Sequence, residues 1–339
     1  MRIAMLAPIA WRVPPRHYGP WEQFASLLTE GLIGRGVDVT LFATGDSLTA
    51  AKLVSVVDHG YEDYPGADVK VWESLHISQV FERADEFDLI HNSFDFLPLT
   101  YSRLVRTPTL TTIHGFSSAR ILPVYERYDR TCHYVSISDA DRRPTLEYLA
   151  TIHHGIDLDA FRPHEARDPY LLVLGRIHAE KGTAEAVRVA RRVGRPLLIA
   201  GPIVDQHYFD AMIRPAVDDV DVHYLGSIGP SERRDVLGAA HALLHLISFE
   251  EPFGYSVVES LASGTPVVAF DRGSMRELVT PGVTGFLVDD VDGAVNAVAM
   301  IDRLDRRLVR ADAVARFGRD LMVERYLDAY RAALRTRSE

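Results

Sequence analysis

The chain has 339 residues, 47% hydrophobic and 25% charged, with a formal net charge of −10. That length suggests two domains, each with a proper core, and the acidic balance argues against a general nucleic-acid-binding role, for which a basic surface is expected. A single cysteine, Cys132, excludes an intrachain disulfide and fits a reducing, cytoplasmic setting, and no apolar run reaches the roughly 18 residues that a transmembrane helix needs.

Short apolar runs alternate with amphipathic helical stretches, the pattern of βαβ units and parallel sheets. The first run, residues 2–7, is too short for a signal-peptide core and reads as a buried strand. Residues 21–35 read as the first helix, with Phe24, Leu27, Leu28 and Leu32 on its apolar face and Gly36 at its C-terminal stop. Further strands are expected at 38–43, 89–91, 109–113 and 133–137, with Cys132 a small buried hydrophobe. A polar segment between Pro163 and Pro169 marks a domain boundary, placed between residues 165 and 166. The second half reads as strands 170–174, 196–200, 222–225, 242–246 and 267–270, with helices at 184–193, near 206–217, and at 230–240 and 256–262. Residues 304–337 read as a helical, arginine-rich tail. Its interspersed Asp302, Asp305, Asp312, Asp320 and Glu324 favour a solvated helix over a membrane patch. The two halves look like two copies of one doubly wound architecture, in which ligands sit at the carboxyl ends of the strands, here in the cleft between halves.

Two stretches carry candidate chemistry. In the first, strand 170–174 runs into Gly175-Arg176, and Lys181-Gly182 follows within one loop. Both cations can reach one point above the sheet, where they would stabilise negative charge on a bound or reacting group. Lysine is otherwise found only at positions 52 and 70. In the second, Glu251 stands in a loop before a helix mouth and Glu259 two turns into the helix, eight positions on. A Gly-Thr-Pro turn at 264–266 then leads into the next strand. Free N–H groups at the helix mouth between two carboxylates make a compact site for a polar, anionic ligand. Between the first strand and first helix, Gly19 allows backbone to approach a phosphate, while Pro20 removes one N–H but suits the first helical position. Trp21 can serve as a platform for a sugar or acceptor, or pack against the neighbouring loop. His91 and His114 each end a strand. The fourteen histidines are too scattered for a metal cluster, and Ser138 lacks the Gly-x-Ser-x-Gly elbow of a hydrolase.

The segment 249–268 resembles the Glu-x7-Glu motif of the retaining nucleotide-sugar glycosyltransferases of family 4, which have a GT-B fold. The later Gly273-Ser274-Met275-Arg276-Glu277 fits the same pattern, as does Gly155-Ile156-Asp157, with His154 where that family has asparagine. The resemblance covers essentially the whole chain. It implies an α/β GT-B architecture of two Rossmann-like domains facing across a cleft. Residues 1–165 would bind the acceptor and 166–320 the nucleotide-sugar, and a last helix, 321–339, would cross back to the first domain. By the same resemblance Arg176 and Lys181 clamp the donor diphosphate in place of a divalent metal, and Glu251 and His114 contact the donor sugar. The N–H groups of Phe253, Gly254 and Tyr255 meet sugar hydroxyls or phosphate, Glu259 the ribose, Ser227 and Ile228 the nucleobase, and Gly19 the phosphates. No cofactor and no metal are implied. A UDP-sugar donor and a soluble small-molecule or oligosaccharide acceptor, such as an antibiotic precursor, are the expected partners, without nucleic acid or membrane insertion. The competing readings are an epimerase of the same fold acting on UDP-N-acetylglucosamine, and a non-catalytic nucleotide-sugar-binding protein. The first would show as epimer formed without acceptor, the second as binding without turnover.

Overall fold

The computed structural model describes residues 1–335 apart from Pro65, Ser117, Glu165, Ala166 and Asp219. Two compact units emerge: Met1–Gly155 with the chain from Arg319, and Ile156–Gly318. The expected boundary at 165–166 falls on residues outside those described; the division comes earlier, at Gly155–Ile156. The last four residues of the expected tail, 336–339, also lie outside them.

Unit 1 runs through β1 (Arg2–Leu6), α1 (Pro20–Ile33), β2 (Asp38–Phe42), β3 (Lys52–Val54) and α2 (Val69–Glu82). It continues with β4 (Leu89–Asn92), β5 (Thr109–Ile113), α3 (Leu122–Tyr128), β6 (Cys132–Ser136) and β7 (Tyr148–Thr151). All described pairings are parallel, in the order β3-β2-β1-β4-β5-β6-β7. Successive residues of β1 point to opposite faces. Ile3 and Met5 pack with Phe24 and Leu28 of α1, and Ala4 and Leu6 with Ile77, Val80 and Phe81 of α2. Each of these side chains larger than alanine, taken fully out of water, contributes roughly 1.5–3 kcal/mol. Pro20, not Trp21, opens α1, because a helix's first residue needs no N–H partner. That helix ends at Ile33; Gly36, at φ 76°, closes the turn by donating to Ile33 O.

Unit 2 runs through β8 (Leu171–Leu174), α4 (Thr183–Val193), β9 (Leu197–Ala200), α5 (Gln206–Tyr208), β10 (Val222–Gly226), α6 (Pro230–Ala239) and β11 (Ala242–His245). Then come α7 (Tyr255–Ala262), β12 (Val267–Phe270), α8 (Met275–Leu278), β13 (Gly285–Val288), α9 (Val291–Met300) and α10 (Arg306–Phe317). The sheet is again parallel, in the order β10-β9-β8-β11-β12-β13. Leu171 and Val173 pack against Val187 and Ala190 of α4 and Ala294 and Val298 of α9. The single helix expected near 206–217 is broken into α5, a π turn and a 3-10 turn. Pro215 cannot donate to the preceding turn and clashes with it.

The expected continuous tail helix is two helices. Gly318 is extended, and α11 (Arg319–Arg335) follows it, packed on α1 within unit 1. Nor are its arginines simply solvated. On α10, Arg306 donates to the carbonyls of Gly238, Ala240 and Gly264, Arg310 to that of Ala262 and Arg316 to that of Glu277. These are carbonyls at or near the ends of α6, α7 and α8, where the last turns have no intrahelical donor. Cationic donors there also suit the negative pole of each helix. The Arg306→Met variant, which keeps the stem and loses the donors, is expected to cost about 3 kcal/mol. Urea unfolding of the two proteins side by side measures it.

Candidate functional site

The winding of unit 2 reverses between β8 and β11, since β9 and β10 lie to one side and β12 and β13 to the other. Outside the carboxyl ends of two such strands the connecting loops diverge and leave a crevice. The β8 loop carries Arg176 and Lys181; the β11 loop carries Glu251. Gly182, at φ 72°, brings the first loop against the second: a Cβ there would stand 1.8 Å from Leu246 O. Ser248 N also donates to Glu180 O at 2.9 Å. The result is a direct Lys181 Nζ to Glu251 Oε2 contact of 2.8 Å, with both side chains about one-sixth exposed (16% and 14%). The ammonium lies 4.5 Å from the centre of the Phe249 ring. His245, at the end of β11, places Nε2 at 3.7 Å from the same carboxylate oxygen. Burial pushes the His245 pKa down to about 4, against the pull of Glu251. Arg176 is half-buried, and its Nε has no hydrogen-bond partner among the described residues.

Glu251 is held from below by the turn after β12. Gly273, at φ 53°, lies so close that a Cβ would meet Glu251 O at 2.3 Å and Glu251 N at 2.4 Å. Ser274 donates its N–H to Glu251 O and its hydroxyl to Phe253 O. Gly254 caps α7 at φ 101° without a side-chain cap, which places the first turn of the helix, from Tyr255, at the end of the Glu251 loop. Glu259 is buried on α7 and is taken by Arg233 of α6. Burial raises its pKa and Arg233 opposes that rise. Ser227 is exposed and Ile228 buried, in the loop after β10.

The remaining expected residues belong to unit 1, whose winding reverses between β1 and β4. Gly19, at φ 150°, caps α1, and a Cβ there would meet Pro15 Cβ and Glu22 Oε2 at 2.8 Å. His114 is buried and both its ring nitrogens are engaged: Nε2 with Ser93 Oγ at 2.9 Å and Nδ1 with His154 Nε2 at 3.3 Å. Trp21 stacks on its ring at 5.2 Å. A sugar hydroxyl would have to replace one of those partners. His91 turns inward, between Tyr330 OH at 2.6 Å and Thr112 Oγ1 at 2.8 Å. Sequence reasoning singled out neither His245, Arg233 nor Glu22. The first had a legible signal, a lone polar residue inside the apolar run 242–246.

Two family descriptions match the chain: Glycosyltransferase Family 4 over residues 22–160 and Glycosyl transferases group 1 over residues 157–312. The two spans overlap and together run from residue 22 to residue 312. The chain is a family 4 glycosyltransferase. It is 25% identical, over 99% of its own length and 92% of the relative's, to the phosphatidyl-myo-inositol mannosyltransferase of Mycobacterium tuberculosis. It is also 25% identical to the glycogen synthase of that organism, over 90% of this chain and 86% of that one. The crystal structure of AviGT4, a glycosyltransferase involved in avilamycin A biosynthesis, is 25% identical and superposes with a TM-score of 0.73 over 98% of each chain. This glycosyltransferase therefore has the GT-B architecture of two parallel α/β domains, and it is an enzyme that transfers sugar. Among its described residues no helix is long and apolar enough to cross a membrane.

Glu22, on the first turn of α1, is 3% exposed and accepts from Trp11 N at 3.3 Å. Burial raises its pKa to about 7. A raised folded pKa means that the group's contribution to stability is complete below its unfolded value and is lost as pH climbs through 7. Glu22→Gln should therefore gain on the wild type between pH 4.5 and 8, by up to about 3 kcal/mol. Paired urea titrations across that range check the sign and the window.

Proposed function

We propose that this enzyme moves a sugar, with retention at the anomeric carbon, from a nucleotide-diphosphate donor to a hydroxyl of a soluble acceptor. The donor is a UDP-sugar by preference. The observation that carries the reading is the Lys181–Glu251 pair at the strand crossover of unit 2, near in the same loop to Arg176, whose Nε has no hydrogen-bond partner among the described residues. Cations of the chain at that place supply what a divalent metal otherwise would. Arg176 and Lys181 hold the diphosphate, and their charge acts most strongly as the bond from the anomeric carbon to the phosphate oxygen breaks. Glu251 accepts from sugar hydroxyls. The N–H groups of Phe253, Gly254 and Tyr255 complete the cradle, with Ser227 and Ile228 beside the base. Glu259 keeps one oxygen on Arg233 and offers the other to the ribose. Gly19 and His114 belong to unit 1, which holds the acceptor in this reading, and there His114 serves first to order the Ser93–His114–His154 chain.

The acceptor oxygen attacks the face that the diphosphate leaves. The bonding pair departs with the phosphate oxygen, which takes the acceptor's proton. Glu251 forms no covalent bond in this step, so mass spectrometry of quenched turnovers should find no glycosyl adduct on it. The relation to AviGT4 supports a secondary-metabolite acceptor, such as an oligosaccharide antibiotic precursor.

Calorimetric titration with UDP, GDP and dTDP in EDTA tests the donor site. Wild type should bind one of them, UDP first, at roughly micromolar Kd, a free energy near 8 kcal/mol. Lys181→Ala should bind it at least about tenfold more weakly, the scale of one charge-assisted hydrogen bond. Binding of none, or equal binding by the variant, removes the reading.

A further inference from the structure

His245 closes β11 beside β12, paired in register with Ala269. It is 7% exposed, and its Nε2 is buried without a hydrogen-bond partner among the described residues. A buried ring nitrogen left unpaired is uncommon in a native fold and asks for a reason. The atom it faces is Glu251 Oε2, at 3.7 Å, the same oxygen that accepts from Lys181 Nζ at 2.8 Å. At 3.7 Å there is no hydrogen bond; a shift of about an ångström or less would make one. A carboxylate only accepts, so the nitrogen facing it is assigned the proton. The ring is a neutral donor, since burial holds its pKa near 4 and Lys181 adds to the lowering.

One ammonium now satisfies Glu251, and in the reading above the same ammonium must turn to a diphosphate. Glu251, with its side chain only 14% exposed, would then face the loss of its cationic partner in a poorly solvated place. We propose that His245 is a positioning residue that takes over the Glu251 carboxylate from Lys181 when the lysine turns to the donor's diphosphate. The handover rests on the donor-site reading. It keeps the carboxylate hydrogen-bonded and aimed at the sugar hydroxyls without adding a charge to the site. The hydrogen bond forms only in the bound state, so it belongs to the affinity for the nucleotide as well as to the placing of Glu251.

The test uses the full chain and the nucleoside diphosphates UDP, GDP and dTDP as probes. With 15N-labelled histidine, saturation by the binding nucleotide should move the His245 Nε2–H resonance downfield, the assignment made by its absence in His245→Gln. His245→Leu should weaken the nucleotide about tenfold, the scale of one lost hydrogen bond. His245→Gln, whose amide nitrogen can stand where Nε2 stood, should stay within about threefold of wild type. Thermal unfolding of each variant separates a folding defect from a binding one. A resonance that does not move on saturation overturns the handover alone, and so does a folded Leu variant that binds like wild type. If none of the three nucleotides binds the wild type, the donor-site reading fails and the handover fails with it.

Discussion

Lys181 and Glu251 stand 70 positions apart in the chain, and they meet because the loops that carry them press together backbone to backbone. Two glycines make that approach possible. Any side chain at Gly182 would enter the carbonyl of Leu246, and any at Gly273 would enter the peptide of Glu251. Both sit at positive φ, where an L side chain is strained even in open space. The pair is mostly out of water, where separating it leaves a poorly solvated charge on either partner. Loop geometry, ion pair and crossover therefore form one unit, and the turn through Ser274 fixes its lower edge.

Much of the fold was legible in the sequence because its physics is local. Alternating apolar runs and helix faces announced two parallel sheets, and the strands at the centre of each were the clearest, being apolar on both faces. The elements that escaped have weak local signals. β3 is a three-residue edge strand, and α2 carries no single apolar stripe: Val69, Val71 and Leu75 face water while Ile77, Val80 and Phe81 are buried. The tail reads as one helix because nothing but Gly318 interrupts its periodicity. Its arginines read as solvated because a carbonyl 66 or 68 positions away leaves no mark near Arg306.

The candidate site divides in the same way. Residue types at a strand end or helix mouth were readable from spacing, so Arg176, Lys181, Glu251 and Glu259 all stood out. Their partners were not. Arg233 reaches Glu259 from 26 positions upstream on another helix, and only the packing of α6 beside α7 brings them together. His114 drew notice as a strand-end histidine. What the strand end could not tell is that its ring would already be spent on Ser93 and His154.

The two sheets share one crossover topology and differ in how they treat charge. Around the crossover of unit 1 stand His91, His114 and His154, all buried, all with pKa values pushed down by desolvation, among Phe24, Trp21 and Tyr326. Even Glu22 there is pushed towards its neutral form. Around the crossover of unit 2 stand two cations in one loop, a carboxylate in contact with one of them, and a second carboxylate bound to Arg233. Burial alone would neutralise such groups as it does in unit 1. In unit 2 each carboxylate instead has a cation within reach, Lys181 for Glu251 and Arg233 for Glu259, and the crevice leaves Lys181 and Glu251 partly exposed. A site organised in that way can exchange one anion for another at small electrostatic cost, whereas the histidine cluster would resist any charged guest. The difference in charge between the two sheets thus follows from which side chains each crossover keeps partly exposed.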